Sequence, residues 1–464
     1  LKSWFEGLIH EYVKWARYLY HNAVRRDESL RELQFPFAYR NGQRDLAVSV
    51  YRTVSRGRKL FIQAPTGIGK TLSAMFPSLK AIGEGYGDKL FYLTAKTITR
   101  SVAEETLEIL RNRGLYFRSV TITAKEKLCF LEKPECNPDA CPHAKGHFDR
   151  VNDAVYTAVH QEFGITREMI LSYAEQFQVC PFELCLDISS FVDGIICDYN
   201  YVFDPDVRLK RYFSESQRGD YIFLIDEAHN LAGRAREMYS ASIIKEDFLE
   251  IKKLIKETSP RLTRYLNRVN RLLLEMKREC EGIEILSDVG PLVMALSSAF
   301  SELEKFLDQY REFKDREAAL ELYFSVRSFL SIYERTDEHY RLYSRLLENG
   351  NFCVKLLCVN PIQNLAECLS QGRAAVFFSA TMLPIRYYRE LLSNEPEDYA
   401  VYVNSPFPEK NRAILVSSDL SSRYTRRNRR EFEKAADYIE EIASAKMGNY
   451  MVFFPSYRVM EEVH

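Results

Sequence analysis

The 464 residues contain no run of about eighteen apolar side chains, the length a helix needs to cross a bilayer, so no membrane span is expected. Nor does the chain open with a secretory signal. Charge of one sign is missing too: 64 Lys and Arg balance 65 Asp and Glu, for a net charge of −1. That removes any global electrostatic footprint for nucleic acid and leaves binding of this kind to local patches. What is present describes a globular protein, 46% hydrophobic and 28% charged, with length for about three domains. The first residue is Leu1 rather than methionine, as expected of a piece of a longer chain.

The most informative stretch is Leu60 to Thr71, LFIQAPTGIGKT. A short apolar run with strand character enters the turn Ala64-Pro65-Thr66-Gly67-Ile68-Gly69, which delivers Lys70 and Thr71 into a helix-like segment. This is the P-loop pattern, with Ala64 where glycine is usual. Glycines let backbone N–H groups wrap around phosphates, and a helix N-terminus adds a favourable field for the anion. Lys70 can reach the β- and γ-phosphates, and the Thr71 hydroxyl can hold Mg²⁺. Upstream, Arg40 and Gln43 stand in an R-x-x-Q spacing that reads either as a solvated helix start or as an adenine-edge reader.

A second apolar run, Tyr221 to Ile225, ends in Asp226-Glu227-Ala228-His229. A carboxylate pair at a strand end, in a chain that holds a P-loop, suits Mg²⁺-dependent nucleotide hydrolysis. Asp226 would hold the ion through water, Glu227 would polarise the attacking water, and His229 is a candidate relay. Further strands are expected at Leu90–Leu93, Gly194–Cys197 and Val376–Phe378. The first leads to Lys96 and Arg100, and the last to Ser379-Ala380-Thr381.

Ten cysteines beside a P-loop point to a reducing compartment. Cys129, Cys136, Cys141, Cys180 and Cys185 crowd into 129–185, and two of them precede proline. Their spacing is not that of paired zinc knuckles. Four thiolates drawn from loops could hold a [4Fe–4S] cluster; unconnected core thiols and zinc are the alternatives. Cys197 lies inside an apolar strand and reads as core. The opening segment places Phe5, Leu8, Ile9, Tyr12, Val13, Ala16 and Leu19 at helical spacing and is expected to pack on something, with no chemistry assigned. From 241 to about 350 the pattern is helical, including the stretch 320–347. Arg423, Arg426, Arg427, Arg429 and Arg430 surround Tyr424, either for phosphate contact or as solvated surface. A strand is expected within 449–457.

Taken in order, APTGIGKT (64–71), LTAKT (93–97), the cysteines ending in CPFE (180–183), DYNYVF (198–203), DEAH (226–229), FFSAT (377–381) and FFPSY (453–457) resemble the iron–sulfur DNA helicases of the XPD/DinG type in superfamily 2. Within that group the chain is most similar to the bacterial DinG-like proteins that carry a nuclease domain ahead of the helicase. The resemblance implies an α/β fold: a RecA-like P-loop NTPase domain interrupted by an Fe–S domain and a helical arch, then a partial second RecA-like domain. The implied boundaries are an N-terminal helical segment 1–34; first RecA-like domain 35–128, 186–240 and 353–385; cluster domain 129–185; arch 241–352; second RecA-like domain 386–464. ATP, Mg²⁺ and a [4Fe–4S] cluster are the implied cofactors. Lys70, Asp226 and Glu227 would be catalytic, Arg40, Gln43 and 64–71 would bind nucleotide, and Cys129, Cys136, Cys141 and Cys180 would hold the cluster, with Cys185 able to substitute for Cys180. The implied activity is ATP-driven 5′→3′ translocation on single-stranded DNA and duplex junctions in repair or replication, by a monomer in the bacterial cytoplasm with no membrane partner. A nucleotide-gated docking module and an RNA-directed motor are the competing readings. The family's last two motifs, with arginines worth about 10³–10⁵ in rate in related phosphoryl transfer, do not occur before His464, so the chain is expected to hydrolyse and unwind poorly by itself.

Overall fold

In a computed structural model the described residues are 2–214, 217–393, 395–405 and 407–464. They form two compact units, Leu1–Pro406 and Phe407–His464. Twelve strands are described: β1 (Lys59–Gln63), β2 (Lys89–Leu93), β3 (Ser119–Thr121), β4 (Gly164–Ile165), β5 (Gly194–Cys197), β6 (Tyr221–Asp226), β7 (Ala241–Ile244), β8 (Ile283–Ile285), β9 (Tyr340–Leu346), β10 (Phe352–Cys358), β11 (Ala374–Ser379) and β12 (Tyr399–Tyr402).

Eight of these make a parallel sheet in the order β12-β1-β11-β6-β2-β5-β3-β4. The sequence explains the burial of both faces. Strand side chains alternate, so Phe61, Phe91, Phe223, Ile225 and Phe377 enter one core while Leu60, Ile62, Leu90, Ile222, Leu224 and Val376 enter the other. A sheet covered on both sides reads as the unbroken apolar runs noted above.

Three helices frame the loop that follows β1. α1 (Lys2–Glu32) packs by its second half against α3 (Lys70–Gly83), where Leu30 and Gly83 meet so closely that a Cβ on the glycine would lie 2.5 Å from the Leu30 Cβ. α2 (Gln43–Ser55) lies alongside α3.

Three expectations are corrected here. The apolar stripe of α1 is not among them, though it stays largely uncovered by the described residues: Phe5, Leu8, Tyr12 and Leu19 are between 45% and 74% exposed, and Trp15 tilts against Phe191 at 4.2 Å. The stretch 241–352 is not purely helical, because β7, β8 and β9 join β10 in an antiparallel sheet, order β7-β10-β9-β8. Tyr340–Leu346 pairs along its whole length with β10 rather than extending the preceding helix, and β10 belongs to this small sheet instead of the large one. Residues from 386 onward do not start a new unit: β12 pairs in parallel with β1, and Val403 N donates to the Gln63 carbonyl at 2.9 Å. The second unit, from Phe407, contains the helices Arg429–Ala445 and Tyr457–Val463 and, among its described residues, no strand; 449–457 finds no neighbouring strand there to bond with.

Candidate nucleotide site and its flanking grooves

The P-loop, the acidic pair and the Ser379 turn meet because β1, β11 and β6 are adjacent and parallel and all release their chains at the same sheet edge. Gly67 and Gly69 take left-handed φ values of 84° and 78°, open to glycine at little cost, and Gly69 caps α3. Ala64 is buried and its N–H donates to the Ser379 carbonyl at 3.1 Å, so the first loop position is stitched to the neighbouring strand. Lys70 and Thr71 open α3, whose N-terminal N–H groups face the loop.

Arg40 and Gln43 brace this loop from outside. The Arg40 guanidinium donates to the Gly67 carbonyl, and Gln43 Nε2 donates to the Ile68 carbonyl at 3.0 Å. Gln43 Oε1 accepts from the Arg40 N–H at 3.0 Å, so both amide atoms of Gln43 bond to the chain's own backbone. Pro65 and Thr66 occupy the solvent-facing turn between these anchors.

Asp226 is 4% exposed at the end of β6. Its Oδ1 accepts from the Glu227 N–H at 2.8 Å and its Oδ2 from the Tyr92 hydroxyl at 2.6 Å, while the Tyr199 hydroxyl donates to its carbonyl. Burial pushes the Asp226 carboxyl above the ordinary carboxylate range; the Tyr92 hydrogen bond and the nearby Lys70 charge pull it down, and Glu227 pushes it up. Glu227 stands at φ 49°, a left-handed conformation uncommon for a residue with a Cβ. Its Oε2 accepts from the Ser379 hydroxyl at 3.1 Å and lies 3.3 Å from His229 Nδ1, which is itself 2.7 Å from Ser379 Oγ. Burial holds the His229 imidazole below its ordinary pKa, against the pull of Glu227 and with the push of Lys96. Ser379, Glu227 and His229 thus form one polar cluster that ties β11 to the acidic turn.

Beside the same sheet edge lies a groove of about 880 Å³ lined by Arg100, Lys125, Lys127, Arg208, Lys210 and Arg211, with Glu126, Asp198 and Asp206 among its acidic residues. Sequence reasoning found Arg100 and missed the other cations, which are scattered over segments that only the fold brings together. Asp198 holds Arg100 at 3.4 Å and Arg234 at 3.8 Å.

Cys129, Cys136, Cys141 and Cys180 line one cavity of about 370 Å³. His143 Nδ1 and His147 Nε2, from residues lining that cavity, are buried without a hydrogen-bond partner in the described structure, while His147 Nδ1 accepts from the Cys180 N–H at 3.2 Å. Burial raises the Cys180 thiol pKa. Cys185 is set apart: fully buried, pushed up to about 12 by that burial, its Sγ donates toward the Thr121 carbonyl in the sheet core. It does not line the cavity and is placed as a core thiol, as is Cys197. Among the described residues no three His, Cys, Asp or Glu side chains are grouped tightly enough to hold a single metal ion. In the second unit Arg426 pairs with Glu431 at 3.2 Å and Arg429 with Glu433 at 2.9 Å.

Residues 44–132 match the family model described as DEAD/DEAH box helicase, and residues 109–248 match the one described as DEAD_2. Over 449 residues the chain is 23% identical to the ATP-dependent DNA helicase XPD of Sulfolobus acidocaldarius, covering 91% of this chain and 74% of that protein. These matches make the chain similar to the XPD-type DNA helicases. It is also 24% identical over 289 residues to the XPD/RAD3 helicase subunit of the general transcription and DNA repair factor IIH of Saccharomyces cerevisiae, covering 54% of this chain but only 35% of that protein. A solved structure titled XPD_Helicase shares the fold at a TM-score of 0.53 and 18% identity, over 92% of this chain and 74% of that one.

Proposed function

We propose that this chain binds ATP with Mg²⁺ and forms part of an ATP-driven DNA helicase or translocase. The observation that carries the reading is the junction of the P-loop, Asp226, Glu227 and Ser379 at one edge of the sheet, next to a groove rich in cations. Lys70 would hold the β- and γ-phosphates, Thr71 and Asp226 would hold Mg²⁺, and Glu227 would orient the attacking water. Through Ser379 and His229, a shift of Glu227 on nucleotide binding would be felt at β11 and Lys96. Single-stranded DNA would lie along the groove of Arg100, Lys125 and Arg208, its phosphates facing those cations. Gln43 would contact adenine by exchanging its bond to the Ile68 carbonyl.

The finer reading is 5′→3′ movement on single strands and duplex junctions in repair or replication, by a monomeric bacterial protein with a nuclease domain ahead of the helicase. Residues 407–464 would belong to a second RecA-like domain whose catalytic arginines this sequence does not contain. Cys129, Cys136, Cys141 and Cys180 fit a [4Fe–4S] cluster: four thiols face one cavity, and in such a cluster each thiolate serves a different iron, so no tight single-ion set is needed. The cluster would tie together loops of 129–185.

The test is ATP turnover with and without single-stranded DNA, in the chain joined to its native flanking sequence. Stimulation by the strand, lost in Lys70→Ala, is the expected result. Tight strand binding without any ATP turnover would favour a docking module instead, and turnover indifferent to DNA would remove the motor.

A further inference from the structure

A further cavity lies away from the nucleotide edge. It is an open groove of about 990 Å³ between α1 and the segment leading into β3. Arg118 immediately precedes β3 and Asp193 immediately precedes β5, so this groove lies at the amino ends of the parallel strands, whereas the P-loop and Asp226 lie at the carboxyl ends. The two regions are on opposite edges of the sheet.

Its wall is a stripe on one face of α1. His10, Lys14, Arg17, His21 and Arg25 follow one another at intervals of three or four residues and all line the groove, so they project along one side of the helix for about 22 Å. Glu6 is the one carboxylate among the described residues lining it. Arg17 is exposed and makes no hydrogen bond, ion pair or ring contact among the described residues; Arg25 has only the Tyr116 ring, 5.8 Å away. Lys14 is shared between Glu11 at 3.2 Å and the Tyr156 ring at 3.9 Å.

The floor is aromatic and held rigid. Arg118, 4% exposed, donates to the Val159 carbonyl at 2.6 Å and to Asn22 Oδ1, and its guanidinium lies 4.8 Å from the Tyr116 ring and 5.7 Å from the Tyr18 ring. Asp193 is occupied by Arg26 at 3.3 Å, by Asn22 and by the Arg118 N–H, so its charge is spent beneath the groove. Half-buried Tyr18, Tyr116 and Tyr156 line the groove among the cations, with the His160 ring 4.5 Å from Tyr18 and 3.8 Å from Tyr156.

We propose that this groove is a second binding site for single-stranded nucleic acid, separate from the motor's own strand path. Lys14, Arg17 and Arg25 lie along one face of the helix, the two arginines with no anionic partner among the described residues, so they match phosphates of a strand, and the neighbouring rings suit bases that stack without sequence preference. A compact phosphate would use one end of such a stripe; a strand uses its whole length. The site does not depend on ATP turnover.

The test is fluorescence anisotropy of a labelled oligothymidylate titrated into the chain over a salt series. Arg17→Glu/Arg25→Glu changes two exposed side chains without structural hydrogen bonds, so folding is preserved. Binding at low salt is expected to weaken several-fold, and the log–log salt slope to fall by about 1.4, two contacts at about 0.7 each. ATP turnover at saturating strand stays unchanged. Unaltered affinity and slope overturn the proposal, as does an equal loss from Lys253→Glu/Lys256→Glu, which makes the same charge change elsewhere. Polyglutamate binding that the double variant abolishes, with oligothymidylate binding unaffected, also overturns it in favour of an acidic protein segment. A chain whose ATP turnover ignores DNA but whose strand binding responds to the double variant loses the motor reading and keeps the groove.

Discussion

Asp226 is a carboxylate almost out of water, and its Oδ2 has the Tyr92 hydroxyl at 2.6 Å. Burial keeps the Tyr92 phenol well above its ordinary pKa, so it remains a donor, and its hydroxyl also lies within reach of the Thr71 side chain. Hydrogen bonds to charged groups are among the strong ones, and an unpaired buried carboxylate oxygen is expensive. Tyr92→Phe keeps the ring and removes only the donor, so it is expected to cost about 1.5–3 kcal/mol in urea unfolding. A variant as stable as the parent would show that Asp226 does not rely on this bond. Beside it, Glu227 holds a left-handed backbone that places its carboxylate against both Ser379 and His229. The acidic pair was legible in the sequence as two residues at a strand end. The two tyrosines that hold Asp226 were not, because nothing in FYL or DYN marks a hydroxyl that will cross to another strand.

Among elements, those whose chemistry is local were the most legible. β1, β2, β5, β6 and β11 are unbroken apolar runs, and the P-loop is spelled by its glycines. α1 shows the opposite case. Its apolar residues stand at helical spacing, yet most of that stripe is exposed within this chain, while His10, Lys14, Arg17, His21 and Arg25, equally periodic and given no weight in the sequence, line a groove. Tyr340–Leu346 was absorbed into a helix because its neighbours are helix formers, and pairing with β10 overrode propensity. The cysteine loops are a third kind. Their thiols are far apart in sequence but share one cavity, and the segment Cys129–Ala144 has little regular structure of its own. Protein purified without oxygen is therefore expected to be brown, with broad absorbance near about 400 nm, and Cys136→Ser to lose both the colour and protease resistance within 129–146. Colourless protein carrying zinc would replace the cluster with a single ion.

At the scale of the whole molecule the two units differ in what holds them. Leu1–Pro406 contains all twelve described strands and both cores, and every residue proposed to bind nucleotide or the cluster. In Phe407–His464 only Glu431 and Val459 are buried among the described residues, while Leu415, Val416, Phe453 and Tyr457 are more than 80% exposed. A unit with so little buried apolar surface cannot offset the conformational entropy of ordering its chain. Residues 407–464 made alone are accordingly expected to lack a cooperative thermal transition. Residues 1–406 made alone are expected to melt cooperatively and to bind a fluorescent ATP analogue within a few-fold of the full chain's affinity, because Arg40, Gln43, the P-loop and Asp226 all fold with the large sheet. Calorimetry and a nucleotide titration on the two pieces check both halves of this. If 1–406 folds but no longer binds the analogue, part of the nucleotide site comes from the second unit, and the P-loop's phosphate contacts do not suffice for affinity.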